Sequence, residues 1–347
     1  MTITELVKKY DPENQFEVLK NSYQQIEFAK NNNYELSGID TSKIKNIIVS
    51  GLGGSAISGD LILNFLQSEI ALPMQVNRNY TLPNYAGEST LLLASSYSGN
   101  TEETISVLNE ALKRRCQIIC LTTGGTIKEI AGREKLPTVI LQEGFQPRYS
   151  LGLSFFSLLK VLQTLRLVTT SQEIIDKTIH LWKKRGEEYS TENNYAFQVA
   201  EKLVGFLPVI YSTDGLTSAV GNRFKCQINE NSKMHAFHNV FPELNHNEII
   251  GWETYDERIA KLKAIFIEEI TTHPQIKKRF AITYELLMQA GVEIISLSST
   301  EASFQERLLD LIYLSDWISY YLAIQRGKDP SEIDYIHLLK KQLAKEA

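Results

Sequence analysis

Side chains able to do acid–base chemistry are densest between Asn229 and Glu248. These twenty residues hold three carboxylates (Glu230, Glu243, Glu248), five Asn and three His (His235, His238, His246). A carboxylate can take a proton from carbon and an imidazole can move one between oxygens, provided both are held in place. A solvated loop would also be rich in acids and amides. Here, however, Met234, Phe237, Val240, Phe241 and Leu244 interleave with the polar residues, so part of the stretch must go inside. Polar groups carried inward need partners there, and the stretch therefore reads as the lining of a site. His235, His238 and Glu243 or His246 could instead be read as zinc ligands, but their spacing fits no common zinc pattern. Alternating with apolar residues, His235 and His238 read as strand histidines.

Two further clusters suggest what such a site would act on. The β-branched run Ile44–Ser50 leads into Gly51-Leu52-Gly53-Gly54-Ser55 and then an apolar helix. Strand, glycine turn and helix is how a backbone approaches an anion and offers it unpaired N–H groups. The spacing is wrong for the G-x-G-x-x-G dinucleotide turn, and Ser55 stands where a hydroxyl would meet a phosphate. The unbroken apolar strand Ser89–Ala94 leads likewise into Ser95-Ser96-Tyr97-Ser98-Gly99-Asn100-Thr101 and a second helix. Ser96, Ser98 and Thr101 then lie at a strand's carboxyl end, where open α/β sheets bind ligands. A helix cap made by Thr101 and Thr104 is the alternative; two such turns in succession favour one shared phosphate cradle. Arg148, in Gln146-Pro147-Arg148-Tyr149-Ser150, opens an apolar helix (153–165). A cation there opposes the helix dipole and makes sense facing an anion.

The elements that must position these groups alternate. Strands are expected at 117–122, 138–141, 208–212, 264–267 and 292–295, and helices at 216–230, 275–290, 308–325 and 331–345. Residues 1–40 read as amphipathic helices without a functional motif, and 166–205 as a solvated helical crossover. The second half lacks both glycine–serine turns, so one half is expected to bind phosphate and the other to supply chemistry. The chain has 347 residues, 43% hydrophobic and 22% charged, with net charge −5. That is the composition of a globular protein of two domains, without the basic face that nucleic acid requires. No apolar run reaches the length of a membrane span, and the amino terminus lacks the pattern of a signal peptide. A cytoplasmic location is expected, with Cys116, Cys120 and Cys226 reduced and packed as apolar residues.

Gly51–Ser55, Ser96–Thr101, Pro147–Ser150, Asn229-Glu230-Asn231-Ser232-Lys233 and Pro242–Glu248 occur here in that order. Together they resemble the bifunctional phosphoglucose/phosphomannose isomerases of the sugar isomerase (SIS) superfamily, over nearly the whole chain. The serine turns are general to SIS domains, whereas the NEN-x-K and PEL-x-HNE segments are specific to this family. The resemblance implies an α/β protein of two SIS-type subdomains (41–165 and 206–347), each a parallel β-sheet flanked by helices. It implies a phosphate cradle at Gly53, Gly54, Ser55, Ser96, Ser98 and Thr101, and an enediolate-stabilising arginine at Arg148. It further implies Glu230 as general base and His246 as the ring-opening histidine, which in this family comes from the other subunit of a homodimer. The carboxy-terminal site lysine matches Lys340, with Lys341 adjacent, and the family's threonine before it corresponds to Ser331. No metal or cofactor is implied.

The chemistry fits these assignments. Aldose–ketose isomerisation moves a proton between C2 and C1 through a cis-enediolate, which needs a base, a ring-opening group and nearby positive charge. The two C2-epimeric aldoses give one enediolate if the C2–C3 bond can rotate. Alternative readings are another SIS sugar-phosphate isomerase, an amino-sugar phosphate enzyme, or a non-catalytic sugar-phosphate sensor. An amino-sugar synthase would need an ammonia source, and no glutaminase domain precedes the first strand. A sensor would need neither Glu230 nor His246.

Overall fold

The computed structural model describes residues 1–346. Apolar β-branched runs become strands where a glycine- or serine-rich turn ends them, and the amphipathic stretches between become helices. Helices α1 (Ile3–Tyr10), α2 (Gln15–Lys20) and α3 (Tyr23–Asn31) precede β1 (Asn46–Ser50) and α4 (Gly53–Phe65). Then come β2 (Met74–Asn77), β3 (Thr90–Ser95), α5 (Glu102–Lys113), β4 (Gln117–Thr122), α6 (Gly125–Glu134) and β5 (Thr138–Ile140). The strands form one parallel sheet in the order β2-β1-β3-β4-β5. All six residues of β3 are buried, as an unbroken apolar run demands of a strand covered on both faces. β2 is an addition to the expected strands: a four-residue edge with only Asn77 buried, too short and mixed to signal itself.

Helices α7 (Leu151–Thr164), α8 (Gln172–Tyr189) and α9 (Tyr195–Leu203) lead to β6 (Leu207–Thr213), α10 (Ser218–Ser232) and β7 (Phe237–Phe241). After two short 3₁₀ turns follow β8 (Leu262–Ile267), α11 (Pro274–Gln289), β9 (Ile294–Leu297), α12 (Phe304–Gln325) and α13 (Asp334–Glu346). The second sheet is also parallel, ordered β7-β6-β8-β9. The expected α/β class, with two parallel sheets flanked by helices, is therefore observed.

The crossover is not the solvated spacer expected from its charges. α8 buries Ile175, Thr178, Leu181, Trp182 and Tyr189, and Trp182 stacks on Tyr313 with ring centroids 4.7 Å apart. Lys183, Lys184 and Glu187 occupy only its outer face. The helix it packs on, α12, is apolar nearly all round and buried from Glu306 to Ile324, the usual fate of such a helix. Three of its four charged residues are paired with other elements, Arg307 with Glu269 at 2.7 Å, Asp310 with Arg185 at 2.9 Å and Asp316 with Arg223 at 2.7 Å, while Glu306 closes a capping box with Ser303.

The amino-terminal helices have a supporting role that their sequence does not announce. Gln25 donates to the Tyr149 carbonyl at 2.7 Å and accepts from the Leu153 N–H at 3.3 Å. It thereby braces the turn that carries Arg148. All three cysteines are free thiols, and burial pushes that of Cys120 up to about 12. No helix among the described residues is long and apolar enough to cross a membrane.

Candidate active site

β1 and β3 are neighbours in register, Ser50 beside Ala94, so their two glycine–serine turns emerge side by side. α4 and α5 both begin at this carboxyl edge without side-chain caps, so their first N–H groups and positive dipole ends are free to meet an anion there. Gly53 and Gly54 open α4, and Ser55 is buried in its first turn. A Cβ on Gly54 would lie 2.6 Å from the Pro147 carbonyl oxygen, so only glycine lets this helix start abut the Arg148 turn. Ser96 and Thr101 share a hydrogen bond of 2.8 Å between hydroxyls, and the Gly99 N–H donates to Ser96 Oγ at 3.1 Å. Gly99 has φ +69°, and a Cβ there would stand 1.8 Å from the Gly124 carbonyl oxygen. Ser98 is exposed at the tip of this turn. The helix-cap alternative is not observed: Thr101 makes no cap bond, and Thr104 Oγ1 is buried without a partner.

Arg148 lies in the 3₁₀ turn Pro147–Tyr149 and is 4% exposed. Its Nε donates to Asn231 Oδ1 at 2.8 Å, and its Nη2 donates to the carbonyls of Pro330 and, at 2.8 Å, Ser331. That leaves Nη1 directed at the Glu230 carboxylate, 3.8 Å away. The anion that this helix-start arginine faces within the chain is therefore Glu230, whose side chain is one-third exposed. Arg223, paired with Asp316, donates to the Arg148 carbonyl at 2.9 Å and fixes the backbone of the same turn. Arg223 and Asp316 escaped the sequence reading, although a lone aspartate within Leu314–Tyr321 was a usable signal. Asn231 and Lys233 also escaped as individual contributors, although both lie inside the NEN-x-K motif.

His246 is held apart from this cluster within one chain. α10 runs back from the carboxyl end of β6 to the amino end of β7, where the Ala236 N–H donates to Asn229 Oδ1 at 3.1 Å. β7 then runs parallel to β6, and His246 follows its carboxyl end in the 3₁₀ turn Glu243–His246. Glu230 and His246 thus occupy opposite ends of a five-residue strand, roughly 13 Å long at about 3.3 Å per residue. His246 is exposed, as are Lys340 and Lys341 on α13. Ser331, by contrast, is 3% exposed with its hydroxyl unpartnered, and its carbonyl already holds Arg148. His235 is exposed. His238 is bonded to Ser212 Oγ at 2.8 Å, and burial pushes its imidazole down to about 4, which keeps it neutral.

Cavities of about 630 and 580 Å³ lie at Phe266–Tyr284 and between Asp60 and His238. Neither includes Ser98, Arg148 or Glu230. Volume alone recognises no substrate; the Gly54–Pro147 and Arg148–Glu230 approaches, with the hydroxyls beside them, make this corner the candidate site.

Residues 192–343 match the family model described as the bacterial phospho-glucose isomerase C-terminal SIS domain. A bifunctional phosphoglucose/phosphomannose isomerase of Caldicellulosiruptor bescii is 36% identical over 334 residues, covering 95% of this chain and 98% of that protein. The chain belongs to the bifunctional phosphoglucose/phosphomannose isomerase family. The Aquifex aeolicus member of the family is 34% identical over 337 residues, 96% of this chain and 99% of that protein. Among solved structures, the hypothetical protein TT0462 from Thermus thermophilus superposes with a TM-score of 0.75 at 16% identity, covering 99% of this chain and 93% of that one. At that identity the match speaks for the shared fold.

Proposed function

We propose that this chain interconverts glucose 6-phosphate and mannose 6-phosphate with fructose 6-phosphate, with Glu230 moving the proton between C2 and C1. The observation that carries the reading is the Arg148–Glu230 approach at 3.8 Å, joined to the phosphate cradle through the Gly54–Pro147 contact. The cradle formed by Gly53, Gly54, Ser55, Ser96, Ser98 and Thr101 holds the phosphate. Its binding energy orients the reacting carbons rather than stabilising the transition state selectively. Glu230 removes the C2 proton, and the Arg148 guanidinium offsets the charge that develops on the enediolate oxygen. As the hydroxyl proton passes from O2 to O1, Glu230 returns the carbon-bound proton to C1, which leaves the carbonyl at C2. Rotation about C2–C3 lets both epimeric aldoses share this one base.

Ring opening falls to His246 of a second copy. Within one chain His246 lies beyond the far end of β7 from Glu230, and its exposure suits a residue that completes the site of a homodimer partner. Lys340 adds positive charge from α13. Its amphipathic face, with Tyr335, Leu338 and Leu339 exposed, suits burial once that site is assembled. Phosphorylated sugars are held inside cells, in keeping with a cytoplasmic enzyme of central sugar metabolism.

The test is fructose 6-phosphate formation from each aldose phosphate, in the wild type and in Glu230→Gln. The substitution keeps size and removes the basic oxygen. Both activities should fall by on the order of 10² to 10⁴ while substrate still binds. Near-normal turnover on either substrate would move the base elsewhere, with Glu243 the next candidate.

A further inference from the structure

Lys233 ends α10 in the left-handed region, at φ +50°. Helices favour glycine or asparagine there; Lys135 ends α6 in the same region, and what sets Lys233 apart is what its side chain holds. Its half-buried ammonium donates to the Asn231 carbonyl at 3.2 Å and to the carbonyl of Asp329. Asp329 in turn accepts the Ser331 N–H at 2.7 Å on its carboxylate. The carbonyls of Pro330 and Ser331 are the two that receive Nη2 of Arg148. Segment 329–331 is therefore gripped by two cations from different elements, Lys233 from α10 and Arg148 from the turn before α7.

We propose that Lys233 is a positioning residue for the isomerase reaction. By clamping Asp329–Ser331 to the end of α10, it fixes the carbonyls that aim Arg148 Nη1 at Glu230. It also sets the point from which α13, with Lys340, departs. This rests on the assignment of Arg148 and Glu230 to the reaction. Lys233 touches none of the phosphate cradle, so its effect belongs in turnover and not in phosphate affinity.

The surroundings of the clamp give it a pH signature. Burial, and then the charge of Arg148, push Lys233 down to about 8, against the attraction of Asp329, Glu332 and Glu230. Below that pH the ammonium makes charge-assisted bonds to both carbonyls. Above it the amine still donates, but its bonds are about half as strong. The clamp thus slackens as pH rises through about 8.

The wild-type enzyme should show an alkaline limb in kcat near pH 8, with KM for the sugar phosphate little changed. Lys233→Arg, charged throughout, should keep the clamp at neutral pH and move that limb upward by a pH unit or more. Lys233→Gln should lower kcat on the order of tenfold, with KM changed less than about twofold. A wild type without the limb, a limb left unmoved by Lys233→Arg, or unaltered kcat in Lys233→Gln would each overturn the proposal. If Lys233→Gln does not fold, the wild-type and Lys233→Arg profiles decide alone. Glu230→Gln in the same assay separates the two ideas: retained turnover there sinks the site assignment, whereas silent Lys233 variants beside an inactive Glu230→Gln sink only the clamp.

Discussion

At the scale of single residues, the two halves of the site should separate kinetically. Ser98 is exposed at the tip of its turn, and the phosphate it would bind keeps its charge throughout the reaction. Ser98→Ala should therefore raise KM and leave kcat within about twofold. Arg148 faces the carboxylate and would face the enediolate, so its loss should fall on kcat. Alanine is a poor probe here, because it would strand Asn231 and the carbonyls of Pro330 and Ser331 without a donor. Arg148→Lys keeps the charge but loses the fork that serves three acceptors and still reaches Glu230. Steady-state kinetics on both variants should show kcat lowered at least tenfold for Arg148→Lys. If both changes act on KM alone, Arg148 belongs to the phosphate.

At the scale of elements, α10 joins chemistry to the core. Its last turn brings Glu230 and Asn231 to Arg148, while Arg223 is 3% exposed and paired with Asp316 of α12. Gly221, on the same helix, has room for no Cβ, because His238 Nε2 would lie 2.3 Å from it. This packing gives a pH dependence of stability. His238 titrates near 6.5 when unfolded, and burial, then Lys225, push it down to about 4 in the fold. Between those values the unfolded chain binds the extra proton. Stability is therefore complete above about 6.5 and declines as pH falls towards 4, by at most about 3 kcal/mol. His238→Gln can keep the bond to Ser212 without titrating. Urea unfolding should show a shallower loss from pH 6.5 to 4 in the variant than in the wild type. Parallel pH curves would mean that His238 does not contribute this dependence.

At the scale of the whole molecule, the proposal requires two chains per site. Glu230→Gln and His246→Ala homodimers would each lack an intact site. Random re-pairing of equal amounts makes half the dimers mixed, and half the sites in those are intact, so activity should recover to roughly a quarter of wild type. Unfolding and refolding the two inactive variants together, with a tag on one chain to confirm mixed dimers, makes the measurement. Mixed dimers without activity would place both residues in one chain's own site.

Much of this molecule was decided locally and was therefore legible in its sequence. A strand cut off by glycines and followed by a helix is specified within about twenty residues. The two glycine–serine turns, the alternation of elements and the burial of β3 could thus be read from residue type and spacing. β2 could not, because its pairing with β1 supplies what its own composition lacks. The crossover α8 misled for a related reason, since the partner that buries Trp182 lies on α12. Only tertiary structure joins Arg148 to Asn231, 83 residues apart, and Lys233 to Asp329, 96 apart. No short-range pattern records such a pairing. Glu230 and His246 show the converse. They stand close together in one short stretch of sequence, yet β7 runs between them, and a strand is too stiff and extended to let its two ends meet.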